Sequence, residues 1–229
     1  MKIGIIGAMT VEVEALCERM EGARTQTVSG MAFTEGKLCG CDAVVAVAGV
    51  GKVSAAMCAQ TMILRYAPEA IINTGVAGGI GQGLSVCDVV VATAVAQHDM
   101  DTSPFGDPVG LISALNQVEI PCDEGLCKAL CAAAQRVGIE PKRGLVVSGD
   151  QFIASSEQIA RIRQHFDALA TEMEGAAIGQ VCALNHLPFA VVRAISDGGN
   201  EEAQMSYPQF VKTAAARSVE ILEAFLRGE

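Results

Sequence analysis

The sequence predicts an α/β fold in three layers, a central mixed and mostly parallel sheet flanked by helices. Short apolar runs alternate with helical patterns along most of the 229 residues, as strands joined by crossover helices do. Hydrophobic residues make up 51% of the chain and aromatics only 4%, with no Trp. The core is therefore expected to be built from Ala, Val, Ile and Leu, which suits strands covered on both faces. No repeat, low-complexity tract or charge block interrupts the alternation, so residues 1–229 read as one domain.

Lys2 to Ala8 is an apolar run and reads as the first strand. Thr10 is expected to cap the next helix, whose first turn carries Glu12 and Glu14 where the helix dipole favours acids. From Arg24 to Gly49, Thr, Val and Phe are broken by Ser29-Gly30 and Gly40, the pattern of antiparallel strands ending in the buried run AVVAVAG. KVSAAMCAQTMILRYA is a helix stopped before Pro68. The strand AIINTG, a glycine turn VAGGIGQG and the strand CDVVVATAVA follow.

Between His98 and Asp123 the periodicity is weak, and a segment that long is expected to line a site or an interface. Then come a helix from Glu124 to Val137, a strand in RGLVVSGD, and a helix opening with SSEQ, where Ser155 and Gln158 form a capping box. The strand ALATEM, a helix from Gly175 to Asn185 and the strand FAVVRAIS lead to the last helix. It is expected to open at SYPQ, with Ser206 and Gln209 as a second capping box, and to run to about Arg227.

Composition excludes several functions. With 16 basic against 26 acidic residues the net charge is -10, which argues against a nucleic-acid partner, because such affinity comes largely from Lys and Arg on phosphates. No run of about 18 or more apolar residues is present to span a bilayer. The nine cysteines are odd in number and lack paired C-x-x-C spacing, and the three histidines lie far apart in sequence. Reduced thiols in a cytoplasm, with no metal and no cofactor, are the expectation.

Two glycine motifs do not qualify as nucleotide signatures. GIIGAM lacks the spacing of a dinucleotide fingerprint, and GVGKVS has Val where a phosphate-binding loop needs Ser or Thr after Lys. Ligands of such sheets bind beyond the carboxyl ends of strands, which points to Ala8-Met9, Gly75 to Gly79, Asp150 to Ile153, Glu172 to Glu174 and Arg193 to Asp197. In ATEME, Glu172 and Glu174 would share one face of an extended segment with Met173 on the other. Such carboxylates suit a cis-diol and the thioether a sugar face, yet spacing alone favours both acids as decoration at the start of the following helix. Arg193, Ser196 and Asp197 leave one apolar strand together, fit either for proton donation or for an ion pair and an Asp turn. Phe152 could stack on a flat ligand or belong to the core.

In order along the chain, GIIGAMTVEVEAL, AGVGKVSAA, IINTGVAGG, QHDMDTSPFG, GLVVSGDQFI, ATEMEGAAI and VVRAISD resemble the 5'-methylthioadenosine/S-adenosylhomocysteine nucleosidases, of the nucleoside phosphorylase and hydrolase superfamily. The resemblance covers nearly the whole chain and implies a nucleoside phosphorylase-like fold and an adenine nucleoside as substrate. It implies that Glu12 is the general base which, with Arg193, positions the attacking water. Glu174 would hold the ribose diol with Met173 against the sugar, and Glu172 would support them. Asp197 would protonate adenine N7, supported by Ser196. Phe152 would stack on the base while Ile153 reads its edge. Val76, Ala77 and Gly78 would line the water side, and Met9, Val50 and Tyr207 would surround the 5'-alkylthio group. In a homodimer the neighbouring subunit would complete that pocket through Thr102 and Phe105.

Three positions depart from the pattern of the resemblance. Val76 stands where Ser is frequent, Tyr207 where Phe is, and Thr102 where Val is. The first removes a hydroxyl from the water or anion site and disfavours phosphate as nucleophile; the others make the tail pocket more polar. Hydrolysis of methylthioadenosine and adenosylhomocysteine is the leading expectation. A nucleosidase for aminofutalosine or 5'-deoxyadenosine, and a nucleoside-binding protein without turnover, remain as alternatives.

Overall fold

The computed structural model describes residues 1–228. Its strands are β1 (Ile3–Gly7), β2 (Glu21–Val28), β3 (Met31–Leu38), β4 (Cys41–Val47), β5 (Ala70–Gly79), β6 (Val89–Gln97), β7 (Ile120–Pro121), β8 (Lys142–Ser148), β9 (Ala168–Glu172) and β10 (Phe189–Asp197). The helices are α1 (Thr10–Glu18), α2 (Lys52–Tyr66), α3 (Glu124–Arg136), α4 (Ser156–Arg163), α5 (Gly175–Leu184) and α6 (Ala203–Arg227). This is the expected α/β fold with a mixed sheet and flanking helices. β1 lies between β4 and β5, parallel to both, and β2 and β3 extend that edge antiparallel.

At the other end the sheet returns on itself. β5 pairs with β10, β10 with β6, β6 with β8, β8 with β9, and β9 back with the end of β5. Closure removes two open edges and brings the carboxyl ends of β5, β8, β9 and β10 to one mouth. The interior is aliphatic as composition requires, with Val89, Val90, Val91, Val191 and Val192 all fully buried.

Three local expectations are corrected. The glycine run VAGGIGQG turns later than expected: β5 continues through Gly79, because β10 pairs beside it as far as Gly78 and β9 takes Gly78 and Gly79 from the other side, and the turn falls at Gln82 and Gly83. Thr10 is the first residue of α1 and not its cap. Met9 occupies the cap position, and Glu12 three residues later accepts the N–H groups of Ala8 (2.8 Å) and Met9 (2.9 Å). Nor do Ser206 and Gln209 start α6. The helix begins at Ala203, after a turn in which the Asn200 carbonyl accepts the Ala203 N–H (3.0 Å), and Ser206 donates its hydroxyl to the Glu202 carbonyl (2.8 Å). At α4 the cap is as expected, Ser155 accepting the Gln158 N–H at 3.2 Å; the Gln158 side chain returns to the Ala154 N–H instead of that of Ser155.

Candidate active site

A cavity opens at the shared mouth of the strands. Met9, Glu12, Val50, Val76, Ala77, Gly78, Phe152, Ile153, Glu172, Met173, Glu174, Ser196, Asp197 and Tyr207 line it. Arg193 lies behind the wall. Thr102 and Phe105 do not reach the cavity of their own chain: the Thr102 hydroxyl donates to Asp107 at 2.8 Å, and Phe105 is 88% exposed. Ala8 and Gln151, which fall in the strand-end stretches named from sequence, line the cavity as well, as does Thr171, which lies outside those stretches. Small or neutral residues carry no chemical signature in a sequence, so only their strand-end positions could have flagged them.

Glu12 is 2% exposed and anchored by backbone. One carboxylate oxygen takes the Ala8 and Met9 N–H groups, and the other takes the Val76 N–H at 3.1 Å. These bonds fix the carboxylate across the gap between β1 and β5. The close approach depends on Gly75, since a β-carbon there would collide with both Glu12 Oε1 and Arg193 Nη1. The glycine in the strand therefore marks a place where two charged groups meet the backbone.

Arg193 is fully buried on β10. It donates to Asn73 Oδ1 and Glu172 Oε2, lies 3.4 Å from the Thr74 carbonyl oxygen and 3.7 Å from Glu174 Oε2. Glu172 is equally occupied. Its two oxygens accept from the Ser148 hydroxyl, from Arg193, and from the N–H groups of Glu174 (3.0 Å) and Gly175 (3.0 and 2.8 Å). Charge is tolerable at this depth because each partner is paired and hydrogen-bonded. Asn73 and Ser148, the uncharged supports of this network, are further residues that sequence reading did not single out.

Glu174 meets different surroundings. It accepts one backbone bond, from Gly51 N–H at 2.9 Å, and is 4% exposed. Burial, aided by the neighbouring Glu172 charge, pushes its carboxyl up to about 7 against the pull of Arg193 and the Gly51 N–H. Asp197, 2% exposed, accepts from the Ser196 hydroxyl (2.8 Å) and the Gly199 N–H (2.9 Å), yet burial still holds its carboxyl above the ordinary range. Perturbed acids facing a cavity are the mark of a functional site.

The mouth is apolar. Phe152 stands edge-on to Tyr207 with ring centroids 5.5 Å apart, and the Tyr207 hydroxyl donates to Met9 Sδ at 3.2 Å. Both Phe152 and Val50 remain about half exposed, at 44% and 53%. Among the described residues no group of three or more His, Cys, Asp or Glu is placed to hold a metal ion. No helix there is long and apolar enough to cross a membrane.

The chain belongs to the phosphorylase superfamily, whose family model matches residues 2–227. A 5'-methylthioadenosine/S-adenosylhomocysteine nucleosidase of Actinobacillus succinogenes is 41% identical over 227 residues, covering 99% of this chain and 98% of that one. A solved nucleosidase of the same description from Neisseria meningitidis, in complex with methylthio-immucillin-A, is 40% identical with a TM-score of 0.96, covering 100% of this chain and 99% of that one. A structure described as a futalosine hydrolase mutant of Helicobacter pylori is 33% identical with a TM-score of 0.94, covering 98% and 97%.

Proposed function

We propose that this protein hydrolyses the N-glycosidic bond of 5'-methylthioadenosine and S-adenosylhomocysteine, giving adenine and the 5-thioribose product. The observation that carries this reading is that Glu12, Glu174 and Asp197, three buried carboxyls in three different environments, face one cavity with an aromatic mouth. Breaking the bond leaves positive charge on the ribose and negative charge on the departing base, so carboxylates near the sugar and an acid near the base both favour the transition state.

In this reading water attacks the anomeric carbon as the bond to the base nitrogen breaks, and the bonding pair leaves with adenine. Glu12 takes the proton from water. It is suited to that role because three backbone N–H groups hold it rigidly at the cavity wall, with the Arg193 guanidinium close by at Gly75. Asp197 gives its proton to N7, and burial raises its carboxyl pKa, the direction that proton donation needs. Ser196 orients it. Glu174 has capacity left to receive the ribose hydroxyls, with Met173 against the sugar and Glu172 fixing the start of α5 beneath both. Phe152 stacks on the base and Ile153 reads its edge through the backbone. Val76, Ala77 and Gly78 wall the water side with no side-chain hydroxyl, which favours water over phosphate. Met9, Val50 and Tyr207 surround the alkylthio group.

The same reading takes residues 1–229 as one nucleosidase domain, acting in the cytoplasm with no metal or cofactor. A homodimer is part of it. Val53, Met57 and Leu64 form an exposed apolar stripe on α2, and Phe105 is exposed on the long loop. A second copy covering that stripe would bring Thr102 and Phe105 to the neighbouring tail pocket. Sedimentation of the active protein tests this, and a fully active monomer would refute the shared pocket.

The central experiment is incubation with methylthioadenosine in the presence and absence of phosphate. Adenine release in both supports hydrolysis; release only with phosphate, accompanied by sugar 1-phosphate, overturns it. The likeness to the futalosine hydrolase mutant structure favours a second reading, an aminofutalosine or 5'-deoxyadenosine nucleosidase. Ratios of kcat/KM across these nucleosides separate the two. A binding protein without turnover is excluded if adenine release disappears in Glu12→Gln and Asp197→Asn.

A further inference from the structure

We propose that Asp99 is a positioning residue which, through Lys52 and Asp150, locks together the two loops that form the mouth of the cavity. It lies in the QHDMD stretch, at the start of the long segment, and does not line the cavity above the strands. One carboxylate oxygen receives Lys52 Nζ at 2.6 Å, and the other receives the Asp150 N–H at 2.9 Å. The Asp150 carboxylate in turn receives the Lys52 N–H at 2.8 Å. Lys52 Nζ also donates to Gln97 Oε1 at 3.0 Å, and Gln97 donates to Gln180 on α5 at 2.7 Å.

The ring of contacts joins two chain segments with no strand pairing to each other. Residues 48–52 supply Val50 to the cavity and the Gly51 N–H that holds Glu174. Residues 149–153 supply Gln151, Phe152 and Ile153. The side chains of Lys52 and Asp99 are only 18% and 19% exposed, so this pair is better shielded from water than an ordinary surface pair. The space between the loops is also tight, since a β-carbon on Gly51 would lie 3.0 Å from Asp150 Oδ1. Burial would raise the Asp99 carboxyl, but hydrogen bonds from Lys52 and Asp150 outweigh it and hold the group below the ordinary range. The carboxylate is thus charged and engaged at both oxygens. Pre-ordering of this kind reduces what a ligand must spend on arranging the loops.

The inference rests on the nucleosidase reading, and adenine release from methylthioadenosine by the wild-type protein tests that reading separately. On active protein, Asp99→Asn and Lys52→Met are each expected to raise KM ~10-fold while kcat changes less than about threefold, because ground-state binding and not the reacting groups is disturbed. The double variant is expected to be no worse than either single one, since both break the same lock. Lys37→Met, which breaks the exposed Lys37–Asp42 pair away from the cavity, should leave KM unchanged. Amide exchange in residues 149–153 should quicken in both single variants while other segments keep their protection. If Asp99→Asn fails to fold, Lys52→Met alone decides. Wild-type KM in the folded variants, or losses that multiply in the double variant, overturns the lock.

Discussion

Glu172 and Glu174 stand two residues apart, both buried, and meet opposite surroundings. Glu172 is saturated by a hydroxyl, a guanidinium and the first N–H groups of α5. Glu174 has one backbone N–H and a more distant arginine, and its carboxyl is pushed up to about 7. The difference shows how one short segment can hold one carboxyl with its acceptor sites filled and another with most of them open. A carboxylate whose acceptor sites are filled by protein stabilises the fold; one left short of partners favours whatever ligand completes it, at a cost to stability.

The largest effect should come from Asp197, the other cavity acid whose carboxyl burial raises. Asp197→Asn, which keeps the shape and removes the proton, is expected to lower kcat on methylthioadenosine by ~10²–10⁴-fold with little change in stability. An undiminished kcat would break the assignment of Asp197 as the acid. On the saturated side, Glu172→Ala should cost about 3–5 kcal/mol in denaturant unfolding, because it leaves Arg193 buried without its closest charge. A loss below about 1 kcal/mol, the worth of an exposed pair, would mean that the contact carries little of the fold.

Glu174→Gln sharpens the contrast by separating activity from stability. The folded carboxyl titrates near 7 against an ordinary 4.5, so its stabilising contribution is full below 4.5 and is lost as pH rises through about 7. The neutral isostere avoids that loss. Its Tm should therefore exceed wild type at pH 8, with the gap closing by pH 5, while kcat/KM falls ~10–100-fold. A lower Tm at both pH values would show that Arg193 needs this charge too. The smallest effect is expected at the mouth, where Tyr207→Phe removes only the hydroxyl given to Met9 Sδ and should change kcat/KM less than about threefold.

Much of the fold was legible because periodicity reports burial. The apolar runs AVVAVAG and FAVVRAIS correspond to β4 and β10, and the helices fall where Pro, Gly and capping residues delimit them. The misread places share a cause. The glycines after IINTG look like a turn, since sequence cannot reveal that Arg193 and Glu12 crowd Gly75 or that two strands flank Gly78. Thr10 and Ser206 have the chemistry of caps, but neighbouring backbone takes that role at both helix starts. For the cavity, charged and aromatic residues at strand ends could be nominated by type; Asn73, Ser148 and Thr171 could not.

The sequence alone determined the α/β class, the aliphatic core, the acidic net charge and the strand ends that carry acids, because these follow from composition and local pattern. Only the tertiary structure decided which charges are filled and which are left unfilled. Ser148, Gly51 and Arg193 reach Glu172 and Glu174 from distant parts of the chain, with Asn73 holding Arg193, through closure of the sheet onto β5. Electrostatic character depends on such neighbours within a few ångströms, and proximity across the fold is written nowhere in the local order of residues.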